Sequence, residues 1–139
     1  MSDTDQFSDQ KIIALTAWGE ARGLGQQGMQ ATICTGQNRL ASGIRWWGTN
    51  LREIFLHPYQ YSCWLTSDPN RSKLLSIDET DPQYVIAINL AAAAMGGNLN
   101  DNVSGADSYY ASTLPEPPKW ADGLTACVEI GDQLYFRTV

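Results

Sequence analysis

Apolar residues recur at helical spacing at Ile12, Leu15 and Trp18, directly behind Ser8, whose hydroxyl suits an N-cap. Gly23 and Gly25 follow as stop signals, so the spacing predicts a first helix that ends at this glycine break. A second amphipathic helix is predicted over residues 26–41, with Met29, Ile33, Gly36 and Leu40 on its buried face. Packed against the first, it carries Asn38 and Arg39 near its end. Trp46-Trp47-Gly48 breaks that pattern. Asn50 then starts a short helix through Leu56, with Glu53 as a capping-box-like partner and His57-Pro58 as its end. Residues 59–64, rich in aromatics, read as a strand or an extended loop.

Asp68-Pro69-Asn70 is a turn, and residues 71–80 form a polar connection whose pattern favours no element. Asp81-Pro82 is a strong helix start, since Asp caps and Pro fits the first turn. Val85, Ile88, Ala92 and Met95 mark the expected buried face, and Gly96-Gly97 stops the helix. A polar turn covers residues 98–102. Beyond it, residues 127–130 and 133–137 flank Gly131-Asp132 as a hairpin. The outline is a helix-rich α+β fold: a single domain over residues 1–139, with a polar segment at 1–9 and a small C-terminal β-hairpin.

Composition narrows the class. A chain of 139 residues, 43% hydrophobic and 17% charged, can bury one core without staples. No run is apolar enough to span a membrane, so no membrane insertion is expected. The first ten residues have neither a basic start nor a hydrophobic stretch, unlike a secretory signal. A formal charge of -6 argues against nucleic acid as a partner. It also gives no general attraction to an anionic polymer, whose recognition would have to be local. Cys34, Cys63 and Cys127 lack metal-ligand spacing and leave an odd thiol. Buried free thiols are expected, with one disulfide as the alternative. One histidine and scattered cysteines point to no metal and no cofactor.

The segment Ala17-Trp18-Gly19-Glu20-Ala21-Arg22-Gly23 puts a carboxylate in the last turn of the first helix. There it faces the negative end of the helix dipole, which disfavours the charged form. A pocket around it would favour a carboxylic acid able to protonate a leaving group. The plainer reading is a solvated glutamate paired with Arg22. The wider sequence decides between them. Gly19-Glu20-Ala21-Arg22-Gly23, Asn38-Arg39, Gln60-Tyr61-Ser62-Cys63-Trp64, Ala106-Asp107-Ser108-Tyr109-Tyr110, Pro118-Lys119-Trp120 and Ile130-Gly131 follow one another in order. This ordered set resembles the SleB/CwlJ-type cell-wall hydrolase family, over residues 11–136. The resemblance implies a lysozyme-like or lytic-transglycosylase-like fold, action on peptidoglycan glycan strands, and Glu20 at the catalytic position. Three positions depart from the family pattern. Leu24 stands where a second glutamate is usual, and Gln133 stands about where many members have histidine. Tyr109-Tyr110 lacks the histidine that often sits beside the tyrosine.

Cleaving a glycosidic bond takes a proton donor and a means to stabilise an oxocarbenium-like state. Asp68, Asp107 and Asp122 are possible second acids, but each is more simply a turn or surface residue. A single-glutamate scheme is favoured: Glu20 protonates the MurNAc–GlcNAc oxygen, then accepts the proton of the attacking C6 hydroxyl. This is lytic transglycosylase chemistry, with water attack by a muramidase as the alternative. Trp46, Trp47, Trp64, Trp120, Tyr61, Tyr109 and Tyr110 lie in loop-like segments and suit flat sugar faces, although some must fill the core. Trp18 belongs in the core. Tyr109 and Tyr110, if on a strand, point to opposite sides. The amides of Asn38 and Gln60 suit an N-acetyl group or a water, or else a cap or turn. The substrate-binding set is therefore Asn38, Gln60, Tyr61, Ser62, Tyr109, Tyr110 and Trp120. Rival readings are a Cys63–His57 peptidase or amidase and a non-catalytic glycan-binding virion protein. The expected setting is a monomeric, phage endolysin-like enzyme made in a host cytoplasm and acting at the wall or periplasm.

Overall fold

The computed structural model describes residues 3–57 and 60–139. Pro58 and Tyr59, read above as a helix stop and the start of an aromatic segment, lie outside the described residues. Among the described residues, five α-helices form the body: α1 (Asp9–Ala21), α2 (Gly25–Ser42), α3 (Leu51–Leu56), α4 (Asn70–Leu74) and α5 (Pro82–Met95). Three strands follow in β1 (Ser108–Ala111), β2 (Val128–Ile130) and β3 (Gln133–Phe136). The helix-rich α+β expectation holds.

Helix α1 is the axis of the core. Ser8 Oγ accepts the Lys11 N–H at 3.1 Å and fixes its start. Every residue from Ile12 to Gly19 is buried, because α2, α3, α4 and α5 pack around it. Its one polar core side chain is satisfied: Thr16 Oγ1 donates to Ile12 O at 2.7 Å and accepts from Trp64 Nε1 at 2.8 Å. The chain reverses through a 3₁₀ turn at Arg22–Leu24 and a left-handed Gly25, then enters α2. Met29, Ile33 and Gly36 are buried as expected, but Leu40 is largely exposed at the end of the helix. Gly36 is a close-approach site, since a Cβ there would lie 2.3 Å from Cζ of Phe55.

Helix α5 starts where predicted, with Asp81 Oδ1 accepting from the N–H groups of Gln83 and Tyr84. Its buried face is not the predicted one. Tyr84, Ala87, Leu90, Ala91 and Ala94 are buried, while Val85, Ala92 and Met95 are exposed and Ile88 only partly covered. The helix is apolar nearly all round, so spacing fits more than one face. The alanine stripe allows the closest approach to α1, and close packing selects it. Two other segments also differ from expectation. The polar connection contains α4, anchored by buried Leu74. Residues 62–64 form a 3₁₀ turn instead of the expected strand or extended loop, with Cys63 and Trp64 turned into the core.

The sheet order is β1-β3-β2, antiparallel throughout. The predicted hairpin is β2–β3, turning at a left-handed Gly131, and β1 adds a third strand. Leu24, the apolar departure from the family pattern, packs beneath this turn. A Cβ on Gly131 would meet Leu24 Cδ2 at 2.5 Å. A small second core of Ala31, Cys34, Val103, Ala106 and Tyr135 ties α2 to the sheet. All three cysteines are free. Cys34 and Cys63 are buried as expected, whereas Cys127 is exposed because it precedes a short edge strand. Among the described residues, no helix is long and apolar enough to cross a membrane.

Candidate active site

Glu20 lies at the end of α1 with both carboxylate oxygens held. Oε1 accepts from the Tyr109 hydroxyl at 2.5 Å, and Oε2 accepts from the Cys63 backbone N–H at 2.9 Å. Gly19 makes the second contact possible. A Cβ at Gly19 would stand 2.8 Å from Cys63 Cβ and 2.9 Å from its Sγ, so only glycine lets the 62–64 turn come this close to α1. Tyr109 arrives from β1, its ring against Tyr135 with centroids 5.5 Å apart. Burial, and then the Glu20 charge, push the Tyr109 phenol well above its usual range, so it stays a proton donor.

Arg22 does not pair with Glu20. It donates to Trp18 O at 3.2 Å and to Asn70 Oδ1 at 2.8 Å, with its guanidinium 4.0 Å over the Trp18 ring. The solvated ion-pair reading of Glu20 is thereby set aside.

The carboxylate opens on a groove of about 610 Å³, lined by Glu20, Arg39, Trp46, Trp47, Gln60, Ser62, Ser108, Tyr109, Trp120 and Thr138. Trp46 and Trp120 remain 65% and 41% exposed there, indole surface beside the amide, hydroxyl and guanidinium groups of the lining. Of the predicted site residues, Gln60, Ser62, Tyr109 and Trp120 share this groove with Glu20. Three others do not line it. Tyr61 is 1% exposed, with its hydroxyl 3.0 Å from Thr35 Oγ1 and its ring against Phe55, so it is a core residue and not a substrate contact. Asn38 donates to Ala106 O at 2.8 Å and to Asp101 Oδ2 at 3.2 Å, which pins the loop before β1 to α2 beside a different cavity. Tyr110 stacks on Phe136 and makes a T-shaped contact with Trp120, so it supports Trp120.

Arg39 was not among the predicted site residues. It is 5% exposed and donates from Nε to Asp107 O at 2.7 Å and from Nη1 to Gln60 Oε1 at 2.9 Å. The signal for it was a cation three residues after Gly36, on the apolar stripe of α2. Asp107 is buried and committed to structure. Its carboxylate accepts from the hydroxyls of Ser108 and Thr138 and from the Thr138 N–H. Asp68 caps the Asn70 N–H, and Asp122 is exposed. Glu20 is thus the only carboxylate among the described residues lining the groove.

The thiol of Cys63 is buried, and desolvation followed by the Glu20 charge raises its pKa steeply, which opposes a thiolate. His57 packs on the Trp46 ring at 4.8 Å. Cys63 serves this site through its backbone N–H. Among the described residues, no cluster of three His, Cys, Asp or Glu is placed to hold a metal.

The chain is placed in an enzyme family of cell-wall breakdown by its sequence: the family model described as cell wall hydrolase matches residues 23–136. The chain belongs to that family. The matched span begins just beyond Glu20, so the assignment of the acid rests on the geometry above. No curated protein sequence matches the chain. Among solved structures, it is similar to the catalytic domain of the Bacillus cereus SleB protein, with a TM-score of 0.70 and 17% identity, covering 96% of this chain and 94% of that one. It is also similar to the catalytic domain of the germination-specific lytic transglycosylase SleB from Bacillus anthracis, with a TM-score of 0.67 and 17% identity, covering 96% and 98%. At such identity the likeness establishes the fold, which is the lytic-transglycosylase-like one expected.

Proposed function

We propose that this protein cleaves the MurNAc–GlcNAc bond of peptidoglycan as a lytic transglycosylase, with Glu20 as acid and then base. The observation that carries this reading is a single carboxylate in the groove, with each oxygen held by a donor from a different element. Hydrolases that rely on two carboxylates need the second across the scissile bond. Here the remaining lining offers amide, hydroxyl, guanidinium and indole groups.

In the forward step the Glu20 carboxyl gives its proton to the glycosidic oxygen as the C1–O bond breaks. The Tyr109 O–H and Cys63 N–H are aimed at the oxygens that carry the charge once that proton has left, so their hydrogen bonds strengthen in the transition state. The carboxylate then takes the proton of the sugar's C6 hydroxyl as O6 bonds to C1. No water is consumed, and the product is a 1,6-anhydro end. Trp46 and Trp120 provide stacking faces for neighbouring sugars. Local contacts of this kind suit a protein whose net charge gives no attraction to an anionic wall. The fold shared with a lytic transglycosylase domain supports the same chemistry. The whole body serves this one site as a single catalytic unit, since α1, α2, the 62–64 turn and β1 all contribute to it.

Mass analysis of soluble products from purified sacculi is the test. Anhydro ends whose masses sum to the substrate are expected. Reducing ends would make the enzyme a muramidase, and free peptides would move it to amide-bond cleavage. Glu20→Gln keeps the side-chain shape but holds no transferable acid proton, and it should abolish release while thermal unfolding stays unchanged. A loss of only a few-fold would remove Glu20 from the role of acid.

A further inference from the structure

The inference here rests on the glycan reading and adds the group that selects the sugar. Gln60 is the one side-chain amide among the described residues lining the groove. Arg39 decides which way it faces. Nη1 donates to Gln60 Oε1 at 2.9 Å, and a guanidinium has no acceptor, so turning the amide over would set donor against donor. The amide oxygen is therefore committed inward, and no hydrogen bond within the described protein takes the Gln60 NH₂. Arg39 is itself held firmly. It is buried, bonded to Asp107 O at 2.7 Å, and its guanidinium lies 5.0 and 5.1 Å from the Trp47 and Tyr61 rings. No carboxylate pairs with it among the described residues. This stretch of wall, in the same groove as Glu20, presents N–H donors and a positive charge.

We propose that Gln60, oriented by Arg39, donates to the carbonyl oxygen of a 2-acetamido group and makes the enzyme selective for N-acetylated glycan. A 2-amino sugar fails twice at this wall. Its ammonium has no acceptor atom, and it brings like charge toward Arg39. The lactyl amide that joins a stem peptide to the glycan has the same carbonyl chemistry, so the test must separate the two sources.

Initial rates of fragment release would be measured on three strands: N-acetylated with peptides, N-acetylated with peptides removed, and de-N-acetylated. Wild type should prefer N-acetylated strands by roughly tenfold or more in kcat/KM, the scale of one well-made hydrogen bond. In Gln60→Ala the loss should fall mainly on acetylated strands, so that the preference drops toward one. Arg39 is a positioning residue. Arg39→Lys keeps the charge but loses the fork, and should reduce the same preference with a raised KM. The double variant should lose no further preference, because both changes remove one contact. Thermal unfolding of each variant checks that it is folded.

Equal losses on acetylated and de-N-acetylated strands in Gln60→Ala would overturn the proposal, as would a wild type that does not distinguish them. A preference for peptide-bearing strands that vanishes in the variant while acetyl preference survives would overturn it in favour of the lactyl amide. Failure of the underlying glycan reading looks different, because wild type would then release no glycan fragments from any of the strands.

Discussion

At the scale of single residues, the site depends on two donors converging on Glu20 across long stretches of chain. Tyr109 contributes one hydrogen bond to a group whose charge changes during the reaction. Such a bond to a charged partner is worth about 1.5–3 kcal/mol, so Tyr109→Phe should lower kcat by roughly 10- to 100-fold. KM should move much less, because the hydroxyl touches the acid and not the sugar in this reading. Steady-state kinetics on soluble glycan fragments would check this split. A change confined to KM would instead make Tyr109 a binding residue. The identity of Glu20 as a candidate acid was legible in its motif and helix position. Tyr109 was legible as a site residue, but the Cys63 N–H was not, and neither hydrogen bond to Glu20 could be read from the chain, since the partners lie 43 and 89 residues away.

At the scale of elements, Gly19 sets how closely α1 and the 62–64 turn can approach. Replacing it with alanine gains helix propensity of about 1 kcal/mol. The added Cβ, however, meets Cys63 Cβ at 2.8 Å, and overpacking of this kind costs typically ~1–3 kcal/mol. The steric cost should win. Gly19→Ala is expected to lower the unfolding temperature and to cut activity further, because the displaced turn carries the Cys63 N–H away from Glu20. Gly23→Ala is the control: a Cβ there meets nothing within 4 Å, so it should be neutral or mildly stabilising. Equal unfolding temperatures for the two variants would show that the close approach is not limiting. The sequence placed both glycines in one motif, with Gly23 as a helix stop. Only packing separates the one that is filled around from the one in open space.

At the scale of the whole molecule, burial of thiols and phenols makes stability depend on alkaline pH. Burial raises the Cys34 thiol from 9.0 to about 11, and it raises Cys63, Tyr61, Tyr109 and Tyr135 as well. The folded state keeps these protons while the unfolded state releases them, so unfolding is favoured as pH rises. The stabilisation is complete below the unfolded values, near 9.0 for the thiols and 10.0 for the phenols, and is lost above them. Each group whose unfolded form has released its proton steepens the fall by up to about 1.4 kcal/mol per pH unit. Thermal unfolding should be nearly level from pH 7 to 9 and fall steeply beyond it, and Cys34→Ala should flatten the first part of that fall. A level profile to pH 11 would contradict the burial of these groups.

Much of the local structure was readable from the chain itself. Ser8, Asn50 and Asp81-Pro82 start their helices as expected, with side chains accepting the first free N–H groups. The turn at Gly131 likewise joins the expected hairpin. These are interactions within a few residues, so the sequence contains both partners in view. Tertiary structure decided the rest. It chose the alanine face of α5 over the bulkier one, added β1 to the hairpin, and buried Tyr61 while leaving Trp46 open. It also turned Arg39 from a helix-end residue into the fixed support of Gln60. Which face is buried, and which donor meets which carboxylate, depends on the fit between surfaces far apart in the chain. Hydrophobic spacing limits those choices, and close packing with satisfied hydrogen bonds selects among them.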